Sequence, residues 1–254
     1  MASVPLAGTV SHVPAPTGTT SDELLGGRLR LLQPRSGYRI NVDSLLLVGF
    51  AGERRVERVI DLGAGVGALG LLAMARGIAK RALLVEADER LAELARLNLQ
   101  RSSLPGEVKQ LDVATQKLRE TGAALVLCNP PYYPARSHRP AKNAARAVAR
   151  SGELLPFLKT AAGALARKSG RALFCYPAPQ LTELFVLATA AGLVPKRLRL
   201  VQARVSEPAR LALVELRAAR PGGLVIEPPL IEWLGRRRAP EILALSADPA
   251  ADRK

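Results

Sequence analysis

An α/β fold is predicted, with a mainly parallel seven-stranded sheet, helices on both faces and an antiparallel C-terminal hairpin. Three observations carry it. From Arg58 onward, short apolar runs alternate with helical stretches, the pattern of strands joined by helical crossovers. A glycine-rich turn, DLGAGVG, closes the first of those runs. The last two strand candidates follow one another across a short turn with no helix between them, so they pair antiparallel. With 254 residues, 48% hydrophobic and 23% charged, the chain has the size of one large α/β domain.

Each element has its own signal. Residues 1–22, rich in Pro, Thr and Ser, read as a disordered tail. Residues 23–57 form an arm and a helix: Gly26 to Ile40 is basic with hydrophobic alternation, a short hairpin or extended arm, and Ser44 to Ala51 supplies apolar helical turns that Asp43 can cap. Residues 58–220 are the main domain. VERVIDLG, ALLVEAD, EVKQLDV, ALVLC, GRALFCYP, RLRLVQARV and ARLALVELRA are its seven strand candidates. VGALGLLAMARG, ERLAELARLNLQ, Glu153 to Lys168 and Gln180 to Ala191 are its helices. Residues 221–254 read as a C-terminal appendage, Pro-, Arg- and Ala-rich from Pro228 onward.

Composition narrows the classes of function. No apolar run approaches the roughly 20 residues of a membrane span, so a soluble chain without a membrane partner is expected. The N-terminus lacks the basic start and apolar stretch of a secretory signal. Cys128 and Cys175 stand far apart in apolar runs, which reads as two small buried hydrophobes and reduced thiols, and so as a cytoplasmic protein. With only two histidines, His12 and His138, no metal site is expected. The net charge of +15 points to a polyanionic partner, because Lys and Arg on phosphate release condensed counterions.

Gly63, Gly65 and Gly67 stand at the carboxyl end of the first strand, where open α/β sheets bind ligands. From Gly65 the string also reads G-x-G-x-x-G, and Glu86 lies 21 residues further on, so the loop alone also fits a dinucleotide site. Asp61 ends the strand and Leu62 precedes the first glycine, however, whereas in a dinucleotide site the first glycine usually follows the strand directly. This arrangement resembles the first motif of class I S-adenosylmethionine-dependent methyltransferases, which have a Rossmann-like domain. S-adenosylmethionine carries a sulfonium and an ammonium but no phosphate, so a carboxylate such as Asp61 is tolerable beside it. The resemblance places Glu86 on the ribose hydroxyls and Asp112 on the adenine amino group. Each acid alone could equally be a helix cap or a solvated loop charge.

Asn129-Pro130-Pro131-Tyr132 follows the fourth strand directly. It resembles the NPPY motif of methyltransferases acting on a planar amino nitrogen. Such a nitrogen is a poor nucleophile because its lone pair is delocalised. Two acceptors aimed at its N–H bonds, the Asn129 side-chain oxygen and the Pro130 carbonyl, turn the lone pair toward the methyl group. Pro131 stiffens the turn and Tyr132 stacks on the ring. Asn129 also borders the cofactor.

NPPY is shared by adenine-N6 methyltransferases of DNA and RNA and by glutamine-N5 methyltransferases of release factors. SGYRINVDSLLLVGFA, NPPYY and PPLIEWLGRRRAPEI together resemble the tRNA adenine-N6 methyltransferases that modify the anticodon loop of a valine tRNA, a branch of the small-domain methyltransferases. The similarity runs from about Leu24 to Leu243, with the glycine loop and NPPY its most specific parts. It implies N6-methyladenosine in tRNA as product, and it places Asp43 near the methionine end of the cofactor. Two departures concern the target: Tyr133 stands where a Phe is frequent, and the following loop is rich in Ala and Arg. The competing readings are a glutamine-N5 methyltransferase, a basic RNA-binding module on a methyltransferase fold, and a nicotinamide oxidoreductase, in which NPPY has no role.

The basicity is uneven. Residues 26–40 hold four Arg and no acid, residues 121–152 four Arg, one Lys and no acid, and residues 196–220 seven basic and two acidic side chains, whereas residues 41–120 are nearly balanced with twelve and eleven. The arm, the target loop and the late strands are therefore expected to border one RNA track, with Arg136, Arg139, Lys142 and Arg146 as its contacts.

Overall fold

A computed structural model of the protein describes residues 15–36, 39–130, 144–218 and 222–248, with backbone alone for 144–152. The chain opens with a hairpin, β1 (Thr19–Leu24) and β2 (Leu29–Pro34), and helix α1 (Val42–Phe50). Then follow β3 (Val56–Leu62), α2 (Ala68–Ala75), β4 (Ala79–Glu86), α3 (Glu89–Arg101), β5 (Gly106–Gln110) and β6 (Leu125–Cys128). Next come α4 (Ala144–Ala164), β7 (Arg171–Pro177), α5 (Leu181–Ala190), β8 (Leu193–Gln202) and β9 (Ala209–Ala218). The chain continues through β10 (Val225–Ile231), the two-residue strands β11 (Trp233–Leu234) and β12 (Arg237–Arg238), and α6 (Pro240–Ser246). Among the described residues no helix is long and apolar enough to cross a membrane.

The main sheet has the order β10-β8-β9-β7-β6-β3-β4-β5. All pairings are parallel except those of β9, which runs against β7 and β8. The predicted hairpin is there, as β8 and β9, but it is not the sheet's border: β10, from the region read as an appendage, adds an eighth strand beyond it. β1 likewise takes in Thr19 to Asp22, which composition assigns to the tail. α4 begins at Ala144, nine residues ahead of the expected start. Both cores follow from the period-two alternation of strands. Ala172, Phe174 and Tyr176 of β7 pack toward α4 and α5, while Leu173 and Cys175 pack toward α1, α2 and α3. Cys128 and Cys175 are both free and buried, one in each core.

α2 is apolar on every side and buried along its whole length, so it needs cover on the side away from the sheet. The β1–β2 hairpin supplies part of that cover, with Leu29, Leu31 and Leu32 buried against this core. Asn98 of α3 fastens it. Its side chain is fully buried; its Oδ1 accepts from the Leu32 N–H at 2.7 Å, and its Nδ2 donates to the carbonyls of Leu32 at 3.0 Å and Val66 at 2.9 Å. One amide therefore ties the hairpin, α3 and the glycine loop together. Asn98→Leu leaves three buried backbone groups without partners. At about 1–3 kcal/mol for each such group, partly relieved by water entry, a loss of about 3 kcal/mol is expected, read as a lower urea midpoint at unchanged m-value.

Candidate active site

Parallel register aligns the strand ends. β3 runs one residue beyond Asp61, where the sequence reading ends it, so Gly63 follows the strand directly; Leu62, its last residue, pairs with Val85 of β4 and with Cys128, the last of β6. Glu86, the last of β4, pairs with Gln110, the last of β5. Gly63, Glu86, Asp112 and Asn129 therefore leave four adjacent strand ends along one edge, as the sequence predicts.

The glycine loop folds over the end of β4. Gly63, Gly65 and Gly67 all have left-handed backbones, with φ of +68°, +56° and +88°, which favours glycine at each. The N–H groups of Gly63 and Ala64 donate to the Val85 carbonyl at 2.9 and 3.0 Å. Gly70 serves packing: a Cβ there would come within 2.4 Å of Leu84 Cδ2, so its absence lets α2 settle onto β4.

The acids hold this loop. Glu86 Oε2 accepts from the Gly65 N–H at 2.7 Å, and its Oε1 accepts from the N–H groups of Ala87 and Asp88 at 3.0 and 2.9 Å. Asp61 has no exposure at all. Its Oδ2 accepts from the Gly70 N–H at 2.9 Å, while Oδ1 is buried and, among the described residues, meets no donor in hydrogen-bond geometry. Burial pushes its pKa up from the ordinary 3.8 to about 7; the Gly70 N–H opposes that shift and the Glu86 charge adds to it. Asp112 caps the turn after β5, accepting from the Ala114 N–H at 2.8 Å and the Thr115 hydroxyl at 3.3 Å.

Asn129 is the first residue past β6, and its Oδ1 is also buried, without a hydrogen-bond partner among the described residues. Pro130 is buried beside it. Pro131, Tyr132, Arg136, Arg139 and Lys142 lie outside the described residues, as does the side chain of Arg146, whose backbone belongs to α4. Asp43 is not the cap of α1. Asn41 is, with its side chain accepting from the Asp43 N–H at 3.1 Å, because Asn41 has the extended backbone that a cap requires. Asp43 sits in the first turn, buried, with Oδ1 at 2.8 Å from the Arg210 guanidinium. Arg210 also donates to the buried Glu232 carboxylate at 2.7 and 3.0 Å. Sequence reasoning missed Arg210 and Glu232. They are 22 positions apart, and Glu232 stands near three arginines in IEWLGRRR, so local spacing suggests the wrong partner.

The family model of the methyltransferase small domain matches residues 36–164. The chain belongs to the methyltransferase small domain family. It is an S-adenosylmethionine-dependent methyltransferase. Among curated relatives it is similar to proteins named tRNA1(Val) (adenine(37)-N6)-methyltransferase. That of Shewanella frigidimarina is 29% identical over 65% of this chain and 69% of the relative. That of Pedobacter heparinus is 28% identical over 63% and 69%, and that of Aeromonas hydrophila 34% identical over 46% and 49%. Two solved structures share the fold. A predicted O-methyltransferase from Agrobacterium tumefaciens has a TM-score of 0.63 at 24% identity, covering 80% of this chain and 95% of that one. The T. thermophilus 16S rRNA N2 G1207 methyltransferase, in complex with AdoMet and guanosine, has a TM-score of 0.56 at 19% identity, covering 81% and 52%.

The residues present fit a cationic, phosphate-free cofactor. Asp61 keeps a buried oxygen without a hydrogen-bond partner among the described residues, and Glu86 stands against the glycine loop. Glu86→Ala removes the acceptor of three backbone N–H groups. With hydrogen bonds to charged groups contributing about 1.5–3 kcal/mol each, the methyltransferase is expected to bind S-adenosylmethionine about 10–100-fold more weakly by calorimetry. Asp61 also leaves a mark on stability. Its folded pKa lies above the unfolded value, so between pH 4 and 7 the native state holds the extra proton and stability from this group falls as pH rises. In Asp61→Asn that fall is absent, so the wild type should lose stability relative to the variant between pH 4 and 7 and run parallel above it, in urea midpoints measured across the range.

Proposed function

We propose that this methyltransferase modifies the exocyclic N6 of an adenine in RNA, with a tRNA anticodon loop as substrate, and that it works in the cytoplasm. The observation that carries the reading is Asn129: an amide oxygen, buried and without a hydrogen-bond partner among the described residues, on the strand end next to Gly63. A buried acceptor without a donor is costly, and the N–H of an incoming amino group answers it. The Pro130 carbonyl is the second acceptor. Together they orient the amine so that its lone pair faces the methyl group. No base is required before transfer, because the amine proton becomes acidic only after the new bond forms.

When bound, S-adenosylmethionine supplies an electrophilic methyl group on a sulfonium. Glu86 and the left-handed loop at Gly63, Gly65 and Gly67 would hold it, with Asp112 toward its adenine, Asp43 toward its methionine end and Asn129 between cofactor and target. Pro131 and Tyr132 complete the target pocket, and Arg136, Arg139, Lys142 and Arg146 contact the RNA. Anticodon-loop bases are partly unstacked, so placing one against Tyr132 costs less than flipping a base from a duplex. The names of the relatives favour adenine in tRNA over the amide of a protein glutamine, which a planar-nitrogen site could otherwise accept.

The test is nucleoside mass spectrometry of tRNA treated with the purified protein and S-adenosylmethionine. N6-methyladenosine is expected with the wild type. Asn129→Ala should lower transfer about 10²–10³-fold, the scale for losing one preorganised transition-state hydrogen bond, with cofactor binding largely kept. Methyl label entering a release-factor glutamine and no RNA would replace this reading with the glutamine one.

A further inference from the structure

We infer that the β11–β12 hairpin is a phosphate-gripping finger for the RNA backbone, acting through Arg236 and Arg237. The inference rests on the RNA reading above. β8 and β7 both run antiparallel to β9, so β8 ends on the same edge as β6 and Asn129. The hairpin grows from that end: the Glu232 N–H donates to the Gln202 carbonyl at 2.9 Å and the Trp233 N–H to the Ala203 carbonyl at 3.0 Å. In the strand order β6-β7-β9-β8, three spacings of about 4.8 Å put the hairpin's root roughly 15 Å from the Asn129 strand. A loop held at Asn129 therefore has backbone within reach of the finger.

The charge pattern sets these two side chains apart from the late-strand arginines. The late-strand arginines are already neutralised: Arg197 by Glu215 and Glu227, Arg199 by Glu241, Arg204 by Glu207, Arg210 by Asp43 and Glu232, and Arg217 by Glu215. In the arm, Arg28, Arg30 and Arg39 pair with Asp248, Glu23 and Asp22. Arg236 and Arg237 are exposed and, among the described residues, form no ion pair. Their support is rigid. Gly235, with φ +63°, makes the turn; Trp233 pairs with Arg238 across the hairpin, and the Arg238 guanidinium stacks 4.2 Å from the Trp233 ring. Arg238 also lies 3.5 Å from Glu232, which Arg210 anchors. Two uncommitted guanidinium forks suit phosphate oxygens, and the ordered turn that carries them spares the backbone part of the entropy cost of binding.

The test uses the full chain and filter binding of unmodified tRNA over a salt series. Arg236→Ala with Arg237→Ala is expected to weaken binding at least tenfold at low salt, and to make the slope of log K against log salt shallower by about 1.4–1.8, at about 0.7–0.9 for each phosphate no longer neutralised. Arg236→Lys with Arg237→Lys should keep most of the slope, and S-adenosylmethionine affinity should not move in either variant. An unchanged slope and affinity in the alanine variant, from a wild type that methylates tRNA, overturns the finger alone. A wild type that modifies an acidic protein partner and no RNA overturns the finger together with the RNA reading.

Discussion

The pairing of β3 with a parallel neighbour on each side is the constraint from which the site follows. Strands in parallel register send their carboxyl ends to one edge, and β3 is in register with both β4 and β6. That places the loop after Leu62 between Glu86 and Asn129. The same register decides which face each side chain meets. Ile60 and Leu62 belong to the core under α4, and Val59 to the core under α2, so Asp61 between them is turned to the α2 side. A slip by one residue would exchange these faces, exposing apolar side chains and parting Asp61 from Gly70. Core packing and site geometry are thus specified by the same hydrogen-bond ladder.

Charge behaves differently, because its partners are set by tertiary structure. The stretch 196–220 is strongly basic by count, yet Asp43, Glu227, Glu232 and Glu241 come from α1, β10, the segment before β11 and α6 to meet it. In the arm, Arg28, Arg30 and Arg39 are paired in the same way. A surplus within one stretch of chain is therefore not a surplus at one place on the surface. The Arg210 network shows what the pairing does instead: it joins α1, β9 and the C-terminal segment across a sequence gap of almost two hundred residues.

Strand and helix succession, the glycine loop and the alignment of Asp61, Glu86, Asp112 and Asn129 were legible in the sequence because periodicity and parallel topology are local or repetitive signals. Asp43 shows the limit. An acid before an apolar helix reads as a cap, but Asn41 two residues earlier takes that role and Asp43 is recruited by an arginine 167 positions away. β10 was illegible for a related reason. VIEPPLI has two prolines and little alternation, and it is a strand because β8 offers it an edge; the register shifts between Glu227 and Leu230, where the prolines interrupt the ladder. Asn98 gave no signal either, since one polar residue in an amphipathic helix ordinarily faces solvent.

The buried carboxyl of Asp61 also decides between the two chemistries that the glycine loop permits. In a dinucleotide site the amides opening the helix after the loop bind pyrophosphate. Here one of those amides, the Gly70 N–H, is already taken by Asp61 Oδ2. A phosphate added nearby would raise a pKa that burial has already brought to about 7, so anion binding would be linked to proton uptake at Asp61. A sulfonium or an ammonium acts in the opposite sense: it stabilises the carboxylate, lowers its pKa and links binding to proton release near neutrality. The loop is thus electrostatically prepared for a cation, and the acid that first distinguished the motif in the sequence is the group that prepares it.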